Sequence, residues 1–226
     1  WGLDGQTARI EGRPQRRVRA GIALDPLGRE PTDGHRVLDA GAQTLLFPFV
    51  QDADEARRAV AATRYPPEGV RGMAGMSRGS KFGTLPDYFK TANKGMGVIV
   101  QLETPDAVAQ LEAIAAVPGV DALFIGPADL SGAMGHVGLV NHPEVMALMA
   151  DAARRCRALG KPVGTVGGSP EMVVRYRAAG FDFVAIASDL GLLMRGAQAA
   201  VQALTTPDGE THVHTLSGGT QTPAGY

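Results

Sequence analysis

Gly97-Val98-Ile99-Val100-Gln101-Leu102-Glu103 is an apolar run that closes on an acid, and Ala122-Leu123-Phe124-Ile125-Gly126-Pro127-Ala128-Asp129 repeats the pattern further along. Near-continuous apolar runs of this length are the pattern of parallel strands buried on both faces. Each is expected to end in its carboxylate, Glu103 or Asp129. In a (β/α)8 barrel the C-terminal ends of the strands are where catalytic groups gather. Two carboxylates at that rim make a hard, oxygen-rich site suited to Mg2+ or Mn2+. Gln101 stands two residues before Glu103, so in a strand both side chains share a face.

Working outward, strands alternate with helices, which indicates a parallel sheet. A helix over 33–40 stops at Gly41, and a buried strand follows over 44–50. The next helix spans 52–64, where Asp52 and Glu55 form a capping pair. Tyr65-Pro66-Pro67-Glu68-Gly69 stops it, and a short helix over 86–92 interrupts a long loop. Thr104-Pro105-Asp106 is a helix start, with Val108, Leu111 and Ala115 at helical spacing behind it. Pro143 opens a longer helix with a stripe of Val145, Leu148, Met149, Ala152, Cys156 and Leu159, ended by Gly160. Strands over 162–166 and 183–187 enclose a helix over 170–179, and a last helix spans 190–204. That gives five strand–helix units, fewer than eight. The tail 205–226 reads as loose.

The chain has 226 residues, is 44% hydrophobic and carries a formal net charge of −1. Such a chain suits one α/β domain with a sizeable core, slightly short of the roughly 250 residues typical of a complete barrel. Near-neutral charge argues against a nucleic-acid partner. No apolar stretch is long enough to span a membrane. The single cysteine, Cys156, excludes an internal disulfide and fits a cytoplasmic setting. Its place on an apolar stripe makes it a core residue.

Together, in order and with matching spacing, several stretches give a specific signal: Leu38-Asp39-Ala40-Gly41-Ala42-Gln43-Thr44-Leu45-Leu46, Tyr65-Pro66-Pro67-Glu68-Gly69-Val70-Arg71-Gly72, Gln101-Leu102-Glu103 and the run from Gly119 through Asp129 to Ser131. Over 30–204 the chain resembles the HpcH/HpaI aldolases, which are metal-dependent, pyruvate-specific class II aldolases. The resemblance implies a (β/α)8 TIM barrel of the phosphoenolpyruvate/pyruvate type, here N-terminally truncated or irregular. It implies that Glu103 and Asp129 hold a divalent ion (Mg2+, Mn2+ or Co2+). Gly126, Pro127, Ala128 and Asp129 would line the pyruvyl group together with Gln101. Such an ion would polarise a 2-oxo acid and stabilise its enolate. The resemblance further implies cleavage of 4-hydroxy-2-oxo acids to pyruvate and an aldehyde. It also implies homo-oligomers, usually hexamers, with the last helix packed on a neighbour. Asp39 looks like the residue that raises the basicity of the catalytic His.

Residues 1–29 depart from the pattern and are expected to be an irregular remnant of the opening units. The resemblance places a His after Asp4-Gly5-Gln6, but Thr7 stands there, and its hydroxyl is no base near neutral pH. Asp25 stands where the resemblance places an enolate-stabilising Arg. Residues 7–29 hold six arginines without apolar periodicity. They read as a solvated stretch or as a frameshifted one, which the other two reading frames of the coding DNA would test. Two alternatives follow: a catalytically impaired member of the family, and a citrate-lyase-like or malyl-CoA-lyase-like enzyme acting on CoA thioesters. Among other residues, Arg71 is expected to brace a loop by a salt bridge. His136 and His142 are expected to be surface or capping residues, and His212 and His214 an adventitious pair.

Overall fold

A computed structural model of the chain describes residues 37–205. The expectations for Thr7, Asp25, His212, His214 and the 206–226 tail lie outside the described residues. The described part divides into two units, 37–186 and 187–205.

The first unit carries five parallel strands in sequence order: β1 (Thr44–Phe47), β2 (Gly97–Leu102), β3 (Ala122–Ile125), β4 (Val163–Val166) and β5 (Phe183–Ala185). The sheet curls into a half-barrel. Every residue of β1 and β3 is buried, as the unbroken apolar runs require. The helices are α1 (Ala53–Thr63), α2 (Tyr88–Gly95), α3 (Pro105–Ala109), α4 (Leu111–Ala115), α5 (Pro127–Ala133), α6 (Pro143–Ala158) and α7 (Pro170–Ala179). The apolar faces of all but α2 meet the strands in one core that includes Phe47, Val100, Leu111, Ile125, Met149 and Cys156. Burial pushes the Cys156 thiol up to about 12, so it is an inert core group.

Local sequence accounts for the boundaries. The Asp52 carboxylate accepts from the Glu55 N–H at 2.8 Å, and the Glu55 carboxylate reaches back to the Gln51 N–H at 2.8 Å. This is the expected capping pair, its return arm one residue further out than in the usual box. Thr104 caps α3 through the Ala107 N–H. The helix expected to continue from there is broken at Gln110 into α3 and α4, yet Val108, Leu111 and Ala115 are all buried as the periodicity demands.

The second run differs from expectation in one respect. β3 stops at Ile125, and Asp129 does not close a strand: it stands in the first turn of α5, whose N-cap is Gly126. Nor is Asp129 itself the cap. Pro127 is the reason, because its fixed φ and missing N–H suit the first helical position and turn the chain at once.

Arg71 braces its loop as expected. Its side chain is fully buried, with Nη2 donating to Asp39 Oδ1 at 2.7 Å and the guanidinium 4.4 Å over the Tyr65 ring. Burial pushes the Tyr65 hydroxyl up to about 12.

The second unit contains α8 (Asp189–Thr205). Leu190, Leu192, Leu193, Met194, Val201 and Leu204 on it are exposed. Among the described residues no helix is long and apolar enough to cross a membrane.

Candidate functional site

Register brings the expected residues together. β2 pairs with β3 so that Leu102 lies beside Ile125, which sets Glu103 level with Gly126 at the C-terminal edge. The Gly126 N–H donates to the Leu102 carbonyl at 3.2 Å, and the Val50 N–H donates to the Gln101 carbonyl at 3.1 Å, so three strand ends are tied at this point.

Glu103 is the centre. It is only 3% exposed. Its Oε2 accepts from the Phe49 N–H at 2.8 Å, and its Oε1 accepts from Gln101 Nε2 at 2.7 Å. Asp129, exposed on the first turn of α5, approaches the same carboxyl. Burial pushes the Glu103 carboxyl up, the Phe49 N–H pulls it back, and the neighbouring Asp129 pushes it up again, to about 7. Two carboxylates this close share either a proton or a cation.

Gly126 has no room for a side chain. A Cβ there would lie 2.6 Å from both Gln101 Nε2 and Glu103 Oε1, and 2.8 Å from Glu103 Cγ. Gly126→Ala should therefore displace the Gln101–Glu103 pair. Partners of metal ligands typically cost about 10- to 100-fold in affinity when disturbed, and Mn2+ binding should weaken by that factor. Calorimetric titration of the variant with Mn2+ checks it, and unchanged affinity would show that the pair has room to move.

Phe49 is the residue that sequence reading missed. Its backbone is left-handed, at φ 56, and it turns its N–H onto Glu103. A non-glycine residue is uncommon there and costs about a kcal/mol or more. No residue type in Pro48-Phe49-Val50 signals that conformation, so only the structure reveals it.

Asp39 is set against Arg71, and its side chain is 24% exposed. His136 and His142 stack on each other in the loop between α5 and α6, and the His142 Nδ1 caps α6 by accepting from the Glu144 N–H at 3.4 Å.

The family profile for HpcH/HpaI aldolase/citrate lyase matches residues 15–196, beginning inside the Arg-rich stretch. A 2-dehydro-3,6-dideoxy-6-sulfogluconate aldolase of Pseudomonas putida is 48% identical over 169 residues, covering 75% of this chain and 66% of that protein. A 4-hydroxy-2-oxo-heptane-1,7-dioate aldolase of Klebsiella pneumoniae is 46% identical over 195 residues, covering 84% of this chain and 74% of that protein. The crystal structure of an HpcH/HpaI aldolase/citrate lyase family protein from Burkholderia cenocepacia superposes with a TM-score of 0.74 at 41% identity, over 82% of this chain and 73% of that one. The chain thus spans about two thirds to three quarters of the length of these relatives.

Proposed function

The chain belongs to the HpcH/HpaI aldolase/citrate lyase family, and on that premise we propose that it is a class II aldolase, cleaving 4-hydroxy-2-oxo acids to pyruvate and an aldehyde. The observation that carries this reading is the buried Glu103 carboxyl, held by Phe49 and Gln101 and crowded by Asp129. An all-oxygen pair of this kind fits Mg2+, Mn2+ or Co2+. A divalent cation held by Glu103 and Asp129 would supply Lewis acidity to the 2-oxo group. Gln101 fixes the direction of Glu103. Gly126 keeps side-chain bulk away from the pair, and Pro127 with the first-turn N–H groups of α5 at Ala128 and Asp129 would line the pyruvyl group. Asp39, held in place by Arg71, is the proposed partner of the base. The five strands are proposed as part of a (β/α)8 barrel that is N-terminally truncated or irregular, and the chain as a cytoplasmic homo-oligomer, a hexamer by family resemblance. The exposed apolar residues of α8 support an oligomer.

Glu103 also sets the pH dependence. Its carboxyl sits near 7 without a cation, so binding below that pH must release a proton. Mn2+ affinity should rise about tenfold per pH unit below pH 7 and flatten above it. The folded state holds this proton more tightly than the unfolded chain, whose value is 4.5. The cation-free protein should therefore lose stability as pH climbs from 4.5 through about 7, and Mn2+ should restore it. Titrations and melting curves at pH 5.5, 6.5 and 7.5 read both effects, and pH-independent affinity would remove Glu103 from the ligand set.

One observation favours a second reading: Thr7 and Asp25 stand where the family resemblance places a base and an enolate-stabilising cation. The chain would then bind metal and 2-oxo acid but turn over poorly. Pyruvate release from 4-hydroxy-2-oxo acids, with Mn2+ and then with EDTA, separates the two. Release that EDTA abolishes supports the aldolase, and binding without release supports the impaired form. Release only from CoA thioesters would move the chain to the lyase branch.

A further inference from the structure

We propose a second metal site of different chemistry, formed by His136, His142 and Glu144, which takes Zn2+ or a similar nitrogen-seeking transition ion. One ligand atom from each of the three lies within 4.8 Å of the others, and this is the only such group of three among the described residues. The two imidazoles stack with centroids 3.5 Å apart and planes inclined by 19°. His136 Nε2 lies 3.0 Å from Glu144 Oε2.

The loop is shaped to hold them there. The His136 N–H donates to the Ser131 carbonyl at 2.8 Å, the Leu139 N–H to the His136 carbonyl at 2.9 Å, and the His142 N–H to the Leu139 carbonyl at 2.8 Å. Gly135 and Gly138 take positive φ, 81 and 76, where a side chain would be strained. Consecutive turns therefore fold residues 136–142 back so that the rings meet, and Pro143 then starts α6 with Glu144 in its first turn.

The donor set decides the ion. Two imidazoles and one carboxylate suit Zn2+, Ni2+, Cu2+ or Co2+, whereas Mg2+ prefers oxygen alone. Tetrahedral Zn2+ with bonds of about 2.0–2.1 Å needs donors roughly 3.3 Å apart, so the rings must tilt and close by an ångström or so. The hydrogen bond that His142 Nδ1 would surrender is long and weak at 3.4 Å. His136 and His142 are only partly exposed, and Glu144 is open to solvent, so an ion can enter from that side. Bound there, it ties the loop to the first turn of α6 and stabilises the folded state by mass action.

The test uses the untagged chain with His212→Ala and His214→Ala, which removes the other paired histidines. Zn2+ is titrated against a chromophoric chelator in excess Mg2+. His136→Ala or His142→Ala should weaken Zn2+ binding by about 100-fold or more, and Glu144→Gln by about tenfold. Glu103→Gln should leave it unchanged. Unaltered affinity in the His136→Ala/His142→Ala chain, or loss only on Glu103→Gln, would overturn the proposal. X-ray absorption of the Zn2+-loaded chain with both loop histidines intact decides independently of how well the variants fold. Two imidazole ligands support the site, and an all-oxygen shell overturns it.

Discussion

Glu103→Gln should lower Mn2+-supported pyruvate release by about a thousandfold, because a bound cation contributes several kcal/mol of transition-state stabilisation and each 1.36 kcal/mol is tenfold in rate. The same change should not harm the fold. Glutamine keeps an acceptor for the Phe49 N–H, and the Gln101 amide can turn to offer its oxygen to the new NH2 group. It also removes a carboxylate that burial first, and then the neighbouring Asp129, push up to about 7. Without metal at pH 8, the variant should melt at or above the temperature of the parent. Loss of activity with retained or raised stability is the pattern of a residue kept for chemistry at the expense of stability. Loss of both together would assign Glu103 a structural role.

Arg71→Ala is the counterpart, expected to cost about 3 kcal/mol of stability, the lower end of the range for breaking a buried ion pair. The guanidinium is fully enclosed, so the change leaves a cavity under Tyr65 and an unpartnered Asp39 carboxylate. Asp39 is 24% exposed, and the water it already has keeps the cost from the upper end. Arg71 Nε and Nη1 have no hydrogen-bond partner, so the native arrangement itself carries a desolvation cost. Arg71→Met combined with Asp39→Asn should consequently recover most of the loss. Urea unfolding of the single and double variants measures it, and a single-variant loss below about 1 kcal/mol would mean that the pair is already well hydrated.

The sequence carried the sheet and much of the site because both depend on local rules. Unbroken apolar runs gave the buried strands, and Thr104-Pro105-Asp106 and Pro143 gave helix starts that agree with the structure. Glu103 and Gln101 were legible because strand periodicity puts them on one face, and family resemblance paired them with Asp129. Three features were not legible. Asp129 reaches the site from a helix turn, since Pro127 ends β3 earlier than its apolar run suggested. The left-handed Phe49 is imposed by tertiary contacts, chiefly its N–H on a carboxylate 54 residues away. The stacking of His136 on His142 depends on turn geometry that two glycines permit but do not announce.

The most direct test is equilibrium Mn2+ binding to the parent chain and to Asp129→Asn at pH 7.5, with Mg2+ as competitor. The predicted result is one Mn2+ per chain, displaced by Mg2+, with affinity reduced about 100-fold or more in Asp129→Asn. Equal Mn2+ binding by the two chains would contradict the assignment of the Glu103–Asp129 pair as the metal centre.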